Sequence, residues 1–215
     1  MSAGQYGRST RLPDLEAILR GNPWIAAVLD RFAAIGLPDA WLVAGGVVQT
    51  VWNHRFGLPA TTGIADLDLV YFDPDLSAAT ETTHATRLRA VFADLPVWLD
   101  VKNQARVHLW YPAKFGVPLA PYASTAQAIA TYPTTATATG VRVRAGRFEV
   151  CAPFGLTDLF EGIVRPNQVL VTEAAYRAKV TRWRSLWPGL HVLPWVHGAS
   201  ETACEHTFTV GKTTT

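Results

Sequence analysis

Apolar residues recur along the first half of the chain in alternating helical and strand-like patterns. Helical spacing is found at about 14–20, 22–36, 45–56 and 77–93. Short apolar runs, typical of buried strands, are found at 41–44, 64–72 and 96–101. The alternation predicts an α/β (α+β) fold in which helices flank a mixed sheet. In the helix at 77–93, the predicted core face is Leu88, Val91, Phe92 and Leu95.

The second half predicts further strands and helices added to this core. We expect a strand at 107–111, a hairpin of 141–144 with 147–151, and helices after Ser124, at 155–164 and at 172–187. Ser124 with Gln127 three residues later is a capping box. Beyond Gly198 the chain is rich in Ser, Thr and Gly without periodicity, which predicts a disordered tail at 198–215.

Length and composition fit one principal domain. With 215 residues and 49% hydrophobic content, the chain can bury one substantial core. We expect a partly helical N-terminal segment at 1–21 and a single domain at 22–190. That domain has a core at about 38–111 and a C-terminal extension at 112–190.

Charge and cysteine content exclude several classes of protein. The net charge of +2 is too small for a surface that coats nucleic acid, which argues against a nucleic-acid partner. There is no apolar run long enough for a membrane span and no signal-peptide pattern at the N-terminus. Cys151 and Cys204 make neither a disulfide framework nor a metal site by themselves. These features predict a cytoplasmic protein with reduced thiols.

Three acidic residues interrupt the predicted strands. Asp66 and Asp68 stand two positions apart in one strand, so they share a face with Cα atoms about 6.5 Å apart. The neighbouring residues are apolar, and an unpaired charge in such a segment is costly. A third carboxylate from Asp100, in the next strand, would complete an all-oxygen cluster suited to Mg²⁺ or Mn²⁺.

A glycine pair lies between the first strand and the helix after it. Gly45 and Gly46 allow close backbone approach to a ligand, and the following helix presents free amides and a positive dipole end. Such a corner can bind phosphate. Together with a divalent ion held by carboxylates, it describes a phosphoryl- or nucleotidyl-transfer site. A glycine pair alone serves a tight turn more often than a phosphate.

These motifs resemble the signature of the DNA polymerase β-type nucleotidyltransferase superfamily. The stretches Asp66–Pro74, Val101–Tyr111 and Ala152–Phe160 are similar to a family of uncharacterised bacterial nucleotidyltransferase-like proteins. The resemblance spans roughly 22–188. It implies that Gly45 and Gly46 hold NTP phosphates, that Asp66 and Asp68 bind two metal ions, and that Asp100 binds one of them and helps to activate the attacking hydroxyl.

Two features depart from the superfamily pattern. Gly46 stands where Ser is common, and the interval from Gly46 to Asp66 is longer than usual. The loop at 56–65 is either an insertion that lines the site or a sign that the true register differs.

Basic residues supply candidate substrate contacts. If Asn103-Gln104 forms a two-residue turn, residue 100 pairs with residue 107, and Arg106 and His108 face away from Asp100; one bulge would reverse this. Arg106 is kept as a candidate substrate contact, and His108 is interpreted as a hydrogen-bonded structural histidine. Lys179, on the basic last helix, is either part of a solvated face or a triphosphate contact.

Three functional hypotheses follow. The first is a metal-dependent nucleotidyltransferase that moves an NMP group from an NTP to a small-molecule or protein acceptor. The second is a catalytically inactive module of the same fold that binds a nucleotide or a protein partner. A sugar-nucleotide transferase that uses Asp66 and Asp68 to hold Mn²⁺ is the third. The three acids favour the first, while the acceptor, the nucleobase and the oligomeric state stay open.

Overall fold

A computed structural model describes residues 11–197 of the chain. The helices are α1 (Arg11–Arg20), α2 (Pro23–Asp30), α3 (Ala44–Arg55), α4 (Ala78–Val91), α5 (Val107–Phe115), α6 (Thr125–Ile129), α7 (Thr157–Glu161) and α8 (Glu173–Leu186). The strands are β1 (Trp41–Val43), β2 (Asp66–Tyr71), β3 (Trp98–Asn103), β4 (Gly140–Arg144), β5 (Arg147–Cys151), β6 (Ile163–Val164) and β7 (His191–Val192). Short 3-10 helices cover Phe32–Ile35 and Gln104–Arg106.

Five strands form a mixed sheet in the order β3-β2-β1-β4-β5. The β2–β3 pair is parallel, and α4 provides the crossover that parallel neighbours need. The pairs β1–β2, β1–β4 and β4–β5 are antiparallel. The predicted mixed sheet flanked by helices is therefore confirmed, and the additional C-terminal strands and helices are present.

The two faces of the central strands have opposite character. Leu67 and Leu69 of β2 and Leu99 and Val101 of β3 are buried in the main core, together with residues of α3 and α4. The expected core face of α4 is correct, because two of its residues are buried and two pack against the core at its margin. The alternate positions of β2 and β3 carry the acidic residues on the other face.

Side-chain caps start several helices where the sequence predicted them. Asn22 Oδ1 accepts a hydrogen bond from the Trp24 amide at the start of α2. The Asn22 side chain also donates to Thr50 Oγ1, which ties α2 to α3. Ser124 Oγ accepts from the Gln127 amide and begins α6 as expected.

Two predicted elements are wrong. The expected strand at 107–111 is helix α5, because Asn103 Oδ1 accepts from the Ala105 amide, ends β3 and turns the chain into a helical path. The register argument for Arg106 and His108 fails with that strand. The expected helix at 155–164 is shortened to α7, because Gly162 takes a left-handed conformation and the chain continues as β6.

The expected disordered tail at 198–215 and the first ten residues lie outside the described range. Across residues 11–197, no helix has both the length and the apolar character that crossing a membrane would require.

Candidate functional site

Asp66, Asp68 and Asp100 lie together on the polar face of the sheet. In the parallel β2–β3 ladder, Asp68 is paired with Asp100 and Asp66 with Trp98. Neighbouring strands are about 4.8 Å apart, so all three carboxylates project from one small area. Asp66 is exposed at the entrance, whereas Asp68 and Asp100 are partly buried.

The electrostatics of Asp68 reflect this crowding. Burial, followed by the negative charges of Asp66 and Asp100, raises the pKa of Asp68 to about 7. The backbone amide of Gly45, which hydrogen-bonds to the carboxylate, and the more distant positive charge of Lys179 act in the opposite direction. Burial and like charge together therefore outweigh the groups that favour the ionised form of Asp68.

Asp100 has two basic neighbours. Its Oδ1 atom lies 3.2 Å from Lys102 Nζ and 4.0 Å from an Arg89 guanidinium nitrogen. Lys102 follows Asp100 by two positions on β3 and so shares its face. The Arg89 guanidinium stacks over the Trp98 ring at 3.9 Å from its centroid.

The glycine corner lies against Asp68. Val43, the last residue of β1, is paired with Asp68, which places the β1–α3 junction beside that carboxylate. Ala44 takes a positive φ of 53°, a strained conformation for a residue with a Cβ atom. A Cβ atom on Gly45 would lie 3.7 Å from Asp68 Oδ2 and 3.5 Å from Gln49 Nε2. Gly45 therefore faces the site.

Gly46 has a different position. A Cβ atom there would lie 2.5 Å from Leu67 Cδ2, which is closer than real contacts allow. Gly46 is buried and lets α3 pack directly on β2. A Ser side chain at this position would therefore meet the sheet.

Helix α8 forms the wall opposite the acids. Buried Trp183 and Trp187 both make edge-to-face contacts with Trp52 of α3, at centroid distances of 5.4 and 5.5 Å. Trp187 Nε1 also donates to Asn53 Oδ1 at 2.8 Å. These contacts fix α8 over the corner.

Lys179 and Arg182 project from α8 into the same cavity. Burial and the nearby charge of Arg182 lower the pKa of Lys179, while Asp68 and Asp66 oppose that shift. Neither cation forms an ion pair with a carboxylate among residues 11–197. Two positive charges thus face the three acids across the cavity.

The cavity has a volume of about 540 Å³. Gly45, Asp66, Asp68 and Asp100 are among the residues that line it. Another wall of the cavity is aromatic, whereas α8 contributes the basic side chains Lys179 and Arg182. The aromatic wall consists of Trp110, Tyr111, Phe115, Tyr122 and Tyr132. This volume and the mixed polar and aromatic lining suit a nucleotide-sized ligand.

Sequence reasoning missed Gln49. It lines the cavity one helical turn after Gly45, and its buried Oε1 atom has no hydrogen-bond partner. A buried amide oxygen left unpaired is costly, which makes it a candidate ligand contact. The spacing of four residues from Gly45 was the available signal. The aromatic wall was missed because α5 was predicted as a strand.

Arg106 lies outside this cavity. It forms an ion pair with Glu81, and its Nε atom donates to the Leu76 carbonyl at 3.0 Å. His108 is partly buried, and its Nδ1 atom makes no hydrogen bond, contrary to the interpretation of this nitrogen as bonded. The structure thus brings Asp66, Asp68, Asp100, Gly45 and Lys179 to one cavity, and Gly46 and Arg106 to neighbouring packing positions.

The donor chemistry of the three acids fits Mg²⁺ or Mn²⁺. All three offer carboxylate oxygens, which are the ligands that these hard cations prefer. Within residues 11–197, however, no three acidic, His or Cys side chains are already arranged as ligands of one ion. The contact between Asp100 and Lys102 holds one carboxylate in a different pairing.

Comparison with known proteins identifies the family and the fold to which this chain is similar. A family model described as nucleotidyltransferase matches residues 30–192. A solved NMR structure, described as revealing a CCA-adding enzyme head domain, superposes with a TM-score of 0.69 and 28% sequence identity. The match covers 84% of this chain and 95% of that one. Among curated proteins, none matches the sequence.

Proposed function

Because the chain belongs to the nucleotidyltransferase family, we propose that it transfers a nucleoside monophosphate from an NTP to an acceptor, with release of pyrophosphate. The observation that carries the proposal is the juxtaposition of Asp66, Asp68 and Asp100 with the Gly45 corner, facing Lys179 across one cavity. Carboxylates alone would repel a polyphosphate, whereas carboxylates with a divalent ion and opposing cations attract it.

In this proposal Asp66, Asp68 and Asp100 would hold Mg²⁺ or Mn²⁺. Such an ion neutralises triphosphate oxygens and polarises the phosphoryl group that is transferred. The proximity of Asp66 and Asp100 to Asp68, which adds to burial in raising the pKa of Asp68, supports a role in binding a cation.

Lys179 and Arg182 are placed to bind the triphosphate. Both point toward the acids from α8 without carboxylate ion pairs in the described chain. Gln49 contributes its unpaired Oε1 atom as a hydrogen-bond acceptor for a hydroxyl or amino group of the substrate. The aromatic wall offers ring faces for stacking of the nucleobase.

The chemical step makes one bond and breaks one. An acceptor oxygen forms a bond to the α-phosphorus, and the bond from that phosphorus to the oxygen bridging the α- and β-phosphates breaks. Pyrophosphate leaves with the electron pair. If the acceptor is a hydroxyl group, its proton passes to a carboxylate, for which Asp100 is placed, or to water.

A specific observation also favours the inactive alternative. Asp100 contacts Lys102 and Arg89, so its carboxylate is already paired with protein cations and is less available to a metal ion. A module with such a site would bind a nucleotide or a protein partner without turnover.

Pyrophosphate release separates these two functions. The full chain is incubated with each of the four NTPs and with Mg²⁺ or Mn²⁺, and pyrophosphate is measured beside the Asp66→Asn and Asp68→Asn variants. The proposed enzyme releases pyrophosphate from at least one NTP, and both variants lose this activity. Nucleotide-dependent thermal stabilisation without pyrophosphate from any NTP supports the inactive module, and turnover retained by both folded variants contradicts the proposed site.

A further inference from the structure

A second cavity lies beyond the edge strand β3, between α4 and α5. Its volume is about 420 Å³. Basic side chains dominate the charged part of its lining: Arg89, Lys102, Arg106 and Lys114, with Glu81 as the acidic residue. Trp110 of α5 adds an aromatic side chain.

The single carboxylate of this lining is already paired. Glu81 forms an ion pair with Arg106, and both side chains are largely buried, with 12% and 16% of their areas exposed. Glu81 also accepts a hydrogen bond from the Asn103 amide. The contacts of Glu81 therefore tie α4 to the segment between β3 and α5. Its negative charge is balanced by Arg106 and does not offset the charges of Arg89, Lys102 and Lys114.

Those three cations differ in what they contact. Lys114 contacts the rings of Trp110 and Phe115, and it has no carboxylate partner in the part of the chain that the structure describes. Lys102 and Arg89 both approach Asp100. The cavity thus presents positive charge in excess, and part of that charge touches the third acid of the proposed catalytic group.

The two cavities are neighbours. Lys102, Trp110 and Lys114 line both of them, and Asp100 borders the first while contacting two basic residues of the second. A molecule seated in the second cavity would lie beside Lys102 and Arg89, the two basic residues that contact Asp100. An acceptor bound there would therefore be adjacent to the carboxylate that is proposed to take the proton of an attacking hydroxyl group.

We propose that the second cavity binds the acceptor and recognises a phosphate group that the acceptor carries. This inference rests on the proposed function and names the class of acceptor: a phosphorylated small molecule with a free hydroxyl group. Guanidinium and ammonium groups bind phosphate through charge-assisted hydrogen bonds. Lys114, which has no carboxylate partner in the described chain, and the neighbouring Lys102 and Arg89 can supply them. A neutral acceptor would leave Lys114 without a negatively charged counterpart.

The test uses ribose 5-phosphate and ribose as a matched pair of probes. Each is titrated into the ¹⁵N-labelled full chain without NTP or metal, and amide and indole shifts are followed by NMR. Ribose 5-phosphate is expected to shift the signals of Lys114 and of Thr82 and Arg89, which line the second cavity and not the first, with saturation. Ribose is expected to leave them in place. Lys114→Gln should weaken ribose 5-phosphate binding by about tenfold.

Arg144→Gln is the matched control. Arg144 is an exposed arginine on β4, far across the sheet order from β3, so its loss should leave the dissociation constant for ribose 5-phosphate unchanged. Equal weakening in Lys114→Gln and Arg144→Gln, equal shifts with ribose, or shifts confined to α8 around Lys179 would overturn the proposal. Arg89→Gln provides a second variant if Lys114→Gln does not fold, because Arg89 lines this cavity and not the first, although it also contacts Asp100.

The outcome is separable from that of the proposed function. Pyrophosphate release without binding of ribose 5-phosphate at this cavity rejects the acceptor site and leaves the enzyme intact. Saturable binding here without any pyrophosphate release supports the phosphate site and rejects the transfer reaction.

Discussion

Asp68 of β2 and Asp100 of β3 are direct partners in the parallel ladder of the sheet, and their carboxylates share its polar face. The sequence separates them by a helix and a turn, and only the β2-α4-β3 crossover brings them together. Burial, followed by the negative charges of Asp66 and Asp100, opposes the ionisation of Asp68. The first prediction below begins from that effect.

Asp68→Asn should stabilise the fold in metal-free buffer at pH 8. The amide removes a partly buried negative charge beside Asp66 and Asp100, and its oxygen can still accept from the Gly45 amide. We expect a gain of about 1–2 kcal/mol in the free energy of unfolding, measured by urea denaturation with EDTA present. Asp94→Asn, which removes a surface ion pair with Arg31, is the control and should give no gain. A loss of stability in Asp68→Asn would contradict the like-charge account.

The two glycines of the corner should respond differently to substitution. Gly46→Ser drives a side chain against Leu67 and should destabilise the fold by about 1–3 kcal/mol. Gly45→Ala meets only ordinary contacts, so the fold should persist while NTP affinity falls because the methyl group projects into the cavity. Thermal unfolding measures the stability of both variants, and equilibrium binding measures their affinity for the NTP. Equal losses of stability and of NTP affinity in the two variants would show that Gly45 and Gly46 do not have these different roles.

Lys179→Gln should raise the KM for the NTP by about tenfold, since it removes one charge-assisted phosphate contact. Arg177→Gln is the matched control on the same helix, because Arg177 is exposed and pairs with Glu173. That variant should leave KM unchanged. An identical rise in both variants would indicate a general effect of net charge instead of a contact made by Lys179.

Local signals in the sequence were sufficient to predict much of the fold. Apolar runs located β1, β2 and β3, and caps such as Asn22 and Ser124 located helix starts, because each depends on a few adjacent residues. The common face of Asp66 and Asp68 also follows from strand geometry alone. Their approach to Asp100 required the parallel pairing of β2 and β3, for which the alternation of helices and strands gave only general support.

Helix α5 shows where sequence reasoning failed. A strand is predicted by the alternation of Val107, Leu109 and Tyr111 with polar or aromatic residues. Pro112 is also unfavourable in the interior of a helix. Asn103 decides otherwise through tertiary contacts: its side chain donates to the Asp73 and Asp75 carbonyls and accepts from backbone amides. Asp73 and Asp75 are about 30 positions away in the sequence, so no local pattern reports them, whereas the bond from the Ala105 amide is local.

The contacts of Asp100 with Arg89 and Lys102 also could not be predicted from the sequence. Arg89 lies on α4 and reaches Asp100 around the edge of β3, while stacking on Trp98. Positions of long basic side chains depend on the packing of the helix that carries them. The second cavity, which is built from α4 and α5, could not be predicted while α5 was assigned as a strand.

A pH-dependent contribution to stability is expected at Asp158. Burial raises the pKa of this carboxyl group, but hydrogen bonds from Arg165 at 2.8 Å and Thr135 at 2.6 Å outweigh it, so the pKa is lowered. The stabilisation is therefore present at neutral pH and is lost as the pH falls through the folded-state pKa. Asp158→Asn should cost about 1 kcal/mol at pH 7 and less at pH 3, as measured by denaturation at both values. A cost that is independent of pH would refute this assignment.

The central claim is that Asp66 and Asp68 bind a divalent ion that in turn binds the NTP. It is tested most directly by calorimetric titration of nonhydrolysable analogues of the four NTPs, with and without Mn²⁺, into the wild-type chain and the Asp66→Asn/Asp68→Asn double variant. The account predicts that Mn²⁺ strengthens binding of at least one analogue to the wild-type chain by tenfold or more, about 1.4 kcal/mol, and that the double variant loses this gain. An equal effect of Mn²⁺ on both proteins, or no binding of any analogue to the wild-type chain, would contradict it.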